Sequence, residues 1–107
     1  MDIFNYLDEN QKECFSRNSI SFEKGREKYV AYLGRYPVGE LDLAIIVRDN
    51  GEVYLDLLGG NSLKDYKGNP SKEMLDELEK IVMEGKRVLD PRNLSEMING
   101  LLRSSLS

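Results

Sequence analysis

The chain lacks the residues that most often perform acid–base or metal chemistry. It has no histidine and a single cysteine, Cys14, among its 107 residues. No spacing resembles a metal site, a nucleotide-binding loop or a catalytic triad, so we predict a protein that is not an enzyme and that uses no metal or cofactor. One cysteine cannot form an internal disulfide, and we expect Cys14 to be a small buried hydrophobic residue.

Long apolar runs and targeting segments are also absent from the sequence. The apolar stretches are far shorter than the roughly 20 residues that a membrane-spanning helix requires. No basic and apolar segment typical of a secretion signal stands at the amino terminus. We therefore expect a cytoplasmic protein with no membrane partner. The length suffices to bury roughly two-thirds of the surface of the unfolded chain, which predicts a single domain over residues 1–107.

The balance of charge is acidic. The chain has 19 acidic residues against 15 lysines and arginines, for a formal net charge of -4. A net negative field repels phosphate backbones and anionic membranes and attracts basic surfaces. The composition therefore disfavours a direct contact with nucleic acid and favours a basic protein as the partner.

The segment from Lys28 to Leu58 predicts three antiparallel strands. Residues Arg48 to Glu52 have the form of a three-residue hairpin loop, in which Gly51 takes the left-handed conformation. This loop places Ile45 opposite Leu55, and it puts the apolar residues of the second and third strands on one face.

A second turn, from Tyr36 to Glu40, connects the first two strands. Pro37 fixes the first backbone angle of this turn, and Gly39 supplies the conformationally permissive position. A three-residue loop then sets Tyr36 opposite Glu40 and Leu33 beside Leu43. With this register, the odd-numbered residues of all three strands are expected to form one apolar face.

Three amphipathic helices are predicted around this sheet, over residues 3–15, 71–84 and about 94–103. Ser71 is one of the candidates to begin the second helix, and Gly85 ends it. Asn93 and Glu96 have the spacing of a capping box at the start of the third helix. Residues 86–89 are either a short strand or a connector. The predicted fold class is α+β: a helix, a three-stranded antiparallel meander, then two helices packed on the sheet.

The even-numbered side chains of the predicted strands form the candidate interaction surface. Tyrosine offers a large rigid contact area with a hydroxyl group, and aspartate can pair with lysine or arginine of a basic partner. We predict that the partner is contacted by Tyr32, Tyr36, Asp42, Tyr54 and Asp56. In the alternative interpretation a helix covers this side of the sheet, and the tyrosines border a second core.

The second predicted helix carries a run of acidic residues with two interpretations. The run is either a solvated helix face or an imitation of nucleic-acid phosphates that occupies a basic groove. Its members are Glu73, Asp76, Glu77, Glu79 and Glu84.

This order of elements in a small acidic chain resembles some phage anti-CRISPR proteins, which occupy the DNA-binding surfaces of a CRISPR effector. The resemblance covers the whole chain as a layout, and it implies a stoichiometric inhibitor that blocks a basic, nucleic-acid-handling partner. Bacterial immunity proteins that neutralise nucleases, and the acidic chaperones of type III secretion, are similar in size and charge. The alternative from another class is a small-ligand-binding or enzymatic domain with a pocket between sheet and helices, in which Asp42 and Asp56 are candidate acid–base residues.

Overall fold

The computed structural model describes residues 2–15, 19–59, 63–64 and 66–106, and their architecture is α+β. In these residues one antiparallel sheet contains five strands in chain order: β1 (Ser19–Lys24), β2 (Glu27–Tyr36), β3 (Leu41–Arg48), β4 (Val53–Leu57) and β5 (Lys86–Val88). The helices are α1 (Glu9–Phe15), α2 (Lys72–Glu84) and α3 (Leu94–Leu106). Short 3₁₀ turns precede α1 at Ile3–Tyr6 and α3 at Pro91–Asn93.

Helices cover both faces of the sheet, so the protein has three layers and two cores. Helix α2 packs on one face, while α1 and α3 pack on the other. The first core, on the α2 side, contains Ile20, Phe22, Tyr29, Ala31, Leu33, Ala44, Ile46, Leu58, Met74, Leu78 and Ile81. The second core, on the α1 and α3 side, contains Ile3, Leu7, Phe15, Leu43, Ile45, Val53, Leu55, Val88, Leu94 and Ile98.

The single helix predicted over residues 3–15 is divided into two pieces. The 3₁₀ turn ends at Tyr6, and the backbone of Leu7 after it is extended. Asp8 and Gln11 then form a reciprocal capping box. Asp8 Oδ1 accepts from the backbone amide of Gln11 at 2.8 Å, and Gln11 Oε1 accepts from the backbone amide of Asp8 at 3.0 Å. Because this cap satisfies the first free amide groups of α1, the α-helix begins after Asp8 rather than at residue 3.

The predictions for the other two helices hold in their main features. Ser71 caps α2, since its hydroxyl accepts from the Met74 amide at 3.1 Å, and Gly85 follows the last helical residue. The predicted cap at Asn93 is wrong, because Asp90 instead caps the 3₁₀ turn that leads directly into α3. Helix α3 also continues to Leu106, beyond its predicted end.

The hairpin of β3 and β4 confirms the first predicted turn. The Arg48 amide donates to the Glu52 carbonyl at 2.8 Å, and Gly51 has a φ of +92°. Ile45 pairs with Leu55, as expected. The residue chemistry of this loop was therefore sufficient to fix the register of two strands.

The register predicted between β2 and β3 is wrong by one residue. Tyr36 pairs with Leu41, and Leu33 pairs with Ala44 rather than Leu43. The connection has four residues because Glu40, with a φ of +50°, adds a second left-handed residue after Gly39. A slip of one residue exchanges the two faces of a strand. The odd-numbered residues of β2 consequently share a face with the even-numbered residues of β3.

The prediction of three strands is also corrected, because the sheet extends beyond the meander on both sides. Strand β1 pairs with β2 through a two-residue turn in which Gly25 has a φ of +64°, and the rings of Phe22 and Tyr29 stack at 5.2 Å. On the other side, β5 pairs with β4 through Val88 and Val53, which resolves residues 86–88 as a strand. The alternation of apolar and polar residues in β1 was a signal that sequence reasoning missed.

Gly34 determines how closely α1 approaches the sheet. A Cβ atom at this position would lie 2.7 Å from Cε1 of Phe15, which is fully buried. Gly34→Ala should therefore lower the free energy of unfolding by about 1–3 kcal/mol, because the ring must move within a packed core. Urea denaturation followed by circular dichroism measures this change.

Gly100→Ala is the matched control for this substitution. Gly100 lies within α3, and a Cβ atom there would have no neighbour within 4 Å. Alanine at this helical position should raise the free energy of unfolding by about 0.5–1 kcal/mol. Equal effects of the two substitutions would contradict the close packing of Phe15 on β2.

Candidate functional site

The five predicted contact residues do not share one face of the sheet. Tyr32 and Tyr36 lie on the α1 and α3 side and pack against the second core, whereas Asp42, Tyr54 and Asp56 lie on the opposite side. The expectation of one exposed face was wrong for two reasons: the register between β2 and β3 differs by one residue, and helices cover both faces of the sheet. The alternative interpretation, in which helices cover the tyrosines, agrees with the structure.

Asp42 is 2% exposed and is bonded within the protein. Its Oδ1 atom accepts from Arg35 Nη1 at 3.3 Å, and its Oδ2 atom accepts from the Leu63 amide at 3.0 Å. The Asp42 carbonyl also accepts from the Leu58 amide at 2.8 Å. This buried carboxylate thus attaches the segment after β4 to the sheet, and a partner cannot reach it in the folded protein.

A row of charges of alternating sign crosses the sheet on the α2 side. Arg48 forms ion pairs with Glu27 and, at 3.2 Å, with Glu52. Glu52 also pairs with Arg87 at 3.4 Å. The row therefore connects β2, β3, β5 and the turn before β4, and each of these charges is matched by a neighbour of opposite sign.

Two tyrosines complete this row of charges. The Tyr29 hydroxyl donates to Glu27 at 2.7 Å, and this bond raises the pKa of Tyr29 to about 12. The Tyr54 hydroxyl donates to Glu52 at 2.9 Å, and burial followed by this bond raises the pKa of Tyr54. The same hydrogen bonds lower the pKa values of both glutamates, which keeps them ionised to lower pH. Tyr54 therefore has a structural partner.

Asp56 lines a small cleft between β4 and α2. The cleft has a volume of about 290 Å³, and its charged walls are Asp56, Glu77, Lys80 and Glu84. Asp56 accepts a hydrogen bond from the Leu57 amide at 2.8 Å. The charged side chains of the cleft are acidic apart from Lys80, so this cleft suits a cationic group.

A larger groove, of about 620 Å³, lies between α1, the end of β2 and α3. Gln11 forms its floor: this side chain is 2% exposed, and its amide donates to the Ser95 carbonyl at 3.1 Å and to Asn99 Oδ1 at 3.3 Å. These bonds fasten α1 to α3. The other lining residues are Asp8, Asn10, Glu13, Cys14, Arg35, Tyr36, Pro37 and Asn99.

Tyr36 is the predicted contact residue that lines this groove. Its ring packs edge-on against Phe15, with centroids 6.1 Å apart. Its hydroxyl is buried and has no hydrogen-bond partner among the described residues. Burial, followed by the nearby Cys14 and Asp8, raises the pKa of Tyr36, so the hydroxyl stays neutral. The thiol of Cys14 is half-buried, and burial together with Glu13 and Asp8 raises its pKa as well.

The β2–β3 turn, Pro37–Glu40, stands beside the groove and carries an exposed apolar side chain. Val38 is 69% exposed, and Leu106 at the end of α3 is 51% exposed. Leu106 packs on the backbone of Gly39, since a Cβ atom there would lie 2.5 Å from Leu106 Cδ2. The end of α3 therefore packs against the turn.

In the described part of the chain, one residue other than glycine has a positive φ, and this residue is Glu40. A glutamate in this region is strained by about 1–2 kcal/mol relative to an ordinary backbone conformation. Its carboxylate lies 3.7 Å from Arg35 Nη2, which pairs it with the strand before the turn. The β2–β3 turn thus has a strained backbone and an exposed valine, and it lies at the edge of the groove.

Sequence reasoning missed this site apart from Tyr36. Val38 was a usable signal, because a valine between Pro37 and Gly39 stands in a turn where its side chain has no core to enter. Leu106 fell outside the predicted helix. The groove itself depends on contacts between residues far apart in the chain, such as Gln11 with Asn99.

Comparison with known proteins finds no matching family model, no matching curated sequence and no matching solved structure. Among the described residues, no helix has both the length and the apolar character needed to cross a bilayer. The same residues bring together no group of three side chains of the kinds that bind metal ions.

The unpartnered hydroxyl of Tyr36 gives a direct test of this geometry. Tyr36→Phe should leave the free energy of unfolding unchanged or raise it by about 1 kcal/mol, because it removes a buried polar group that forms no hydrogen bond. Tyr29→Phe, the control, should lower it by about 1 kcal/mol because its bond to Glu27 is lost. Thermal and urea denaturation measure both effects. A clear loss of stability in Tyr36→Phe would show that this hydroxyl has a partner in solution.

Proposed function

We propose that this protein is a small acidic inhibitor that binds a basic, nucleic-acid-handling protein in the cytoplasm. A CRISPR effector or a nuclease is the kind of partner that fits. The protein would act by stoichiometric contact and would block the nucleic-acid-binding surface sterically. The proposal rests on the position of the exposed carboxylates. Helices cover both faces of the sheet, and exposed carboxylates lie on the helices of both outer layers.

The acidic surface lies on both sides of the molecule. On the α1 side, Asp8, Glu9 and Glu13 are exposed, with Lys12 as the nearby base. On the opposite side, the exposed acidic residues of α2 are Glu73, Asp76 and Glu84, with Lys72 and Lys80 among them. A surface of this sign raises the association rate with a basic partner and disfavours acidic competitors such as nucleic acid.

The shape of the groove favours a protein as the ligand. Sites for small molecules enclose about 70–90% of the ligand surface, whereas the groove beside Tyr36 is open to solvent. A macromolecular partner can instead bury the groove together with the surface around it. Three of the predicted contacts line clefts that a partner can reach: Tyr32, Tyr36 and Asp56. Asp42 is buried, and the Tyr54 hydroxyl is bonded to Glu52 in the row of charges.

The test of this function starts from the partner itself. The tagged protein is used to capture basic proteins from its host, and each captured protein is then assayed for DNA or RNA binding by gel shift with rising amounts of the inhibitor. We expect nucleic-acid binding to be lost near a one-to-one ratio. Nucleic-acid binding that survives a large excess of the protein would refute the proposal.

Salt provides a second readout of the same complex. If exposed carboxylates guide the encounter, raising the ionic strength from low to high should lower the association rate constant by about tenfold or more, with a smaller effect on dissociation. Surface plasmon resonance measures both rate constants. An association rate that does not depend on salt would exclude electrostatic attraction as the basis of recognition.

A further inference from the structure

We infer that the β2–β3 turn, together with the end of α3 and the adjoining groove, is the docking surface for a basic amphipathic segment of the partner. In such a segment an apolar side chain lies beside lysine or arginine. This inference rests on the proposed function, and it locates the contact with the partner at this turn and the groove beside it. It is supported by exposed apolar groups, by the charge around them and by the rigidity of the turn.

The apolar part of the surface is Val38 and Leu106. The two side chains are 69% and 51% exposed, and Leu106 packs on Gly39, the residue after Val38. A complex gains stability when the partner covers apolar side chains of this size that are exposed to water in the free protein.

The rim of the surface is acidic. Asp8 and Glu13 line the groove, and Glu40, the last residue of the turn, has a side chain that is 73% exposed. Arg35, a cation of the groove wall, is paired with Asp42 and Glu40, and Arg103 lies in the last turn of α3, where it complements the helix dipole.

The backbone of the turn is held in one conformation. Gly39 and Glu40 both have positive φ, Leu106 packs on Gly39, and Arg35 pairs with Glu40. Strained residues persist where the surrounding contacts determine them, and they are found disproportionately at binding sites. A preorganised turn also loses little conformational freedom when it binds, which favours affinity.

The other exposed apolar residues fit a basic partner less well. Leu89 is 82% exposed but stands near the exposed cations Lys86, Arg87 and Arg92. Met83 is 69% exposed on α2, in the layer opposite to α1 and α3. Met83 therefore matches Val38 in exposure while lying away from the turn, which makes it a suitable control.

The docking surface is tested by NMR titration of the isotope-labelled protein with two synthetic peptides. One peptide is an amphipathic helix built from leucine and lysine, and the other is an oligolysine of the same charge. We expect the first peptide to shift the amide signals of Pro37's neighbours, of α1 and of the end of α3, and the second to shift them far less. Shifts centred on α2, or equal shifts with both peptides, would overturn the inference.

Substitutions assign the interaction to individual side chains. Val38→Ser should weaken binding of the leucine–lysine peptide by about tenfold, whereas Met83→Ser should leave it within about twofold. Glu13→Lys should weaken it more than Asp76→Lys, which changes the net charge of the protein by the same amount on α2. Unfolding transitions are recorded for all four variants, and only those that fold as the parent protein are compared.

The outcomes separate this inference from the proposed function. If the protein blocks nucleic-acid binding by its partner but Val38→Ser and Glu13→Lys inhibit as well as the parent protein, the function stands and the docking surface is wrong. If the peptide binds at the turn but no captured protein loses its nucleic-acid binding, the surface stands and the inhibitory function is wrong.

Discussion

Burial of strand β3 on both faces is the constraint on which the rest of the structure depends. Residues 42–46 are all at most 2% exposed, and four of these five are apolar. Covering such a strand removes roughly 2–3 kcal/mol of unfavourable hydration for each isoleucine or leucine. It also requires a packed layer on each side. Helix α2 supplies one layer and α1 with α3 supplies the other, which is why a chain of this length forms two cores around one sheet.

The covered sheet determines where the protein can meet other molecules. Tyr29 belongs to the first core, while the other tyrosines of the sheet lie at the margins of the cores. Tyr29 and Tyr54 bond to the row of charges around Arg48. Among the residues that the structure describes, the buried polar side chains of the sheet are thus largely matched within the protein, apart from the Tyr36 hydroxyl. The accessible surface is formed by the helices and the ends of the strands, where Val38 of the β2–β3 turn and Leu106 of α3 stay outside the cores.

Local chemistry predicted the elements whose geometry is decided within a few residues. The β3–β4 hairpin follows from Asp49, Asn50 and Gly51, and α2 follows from its apolar stripe between Ser71 and Gly85. The β2–β3 register does not follow in this way, because Pro37 and Gly39 fit loops of three or four residues equally well. The longer loop prevails because it gives both faces of β3 apolar neighbours. The continuous run from Leu43 to Val47 was the signal for two-sided burial, since a half-exposed strand would alternate.

The candidate site was the least predictable part because it is made by tertiary contacts. Tyr36 was predicted as a contact residue, but the groove beside it depends on the bonds by which Gln11 joins α1 to α3. The same contacts explain how the strained turn is maintained. Arg35 holds Glu40 through an ion pair, and Leu106 presses on Gly39, while Arg35 is itself held by the buried Asp42. These contacts connect the turn to the buried part of the sheet and to α3. They restrain the backbone that carries Val38, although the side chain of Val38 contributes little to the fold.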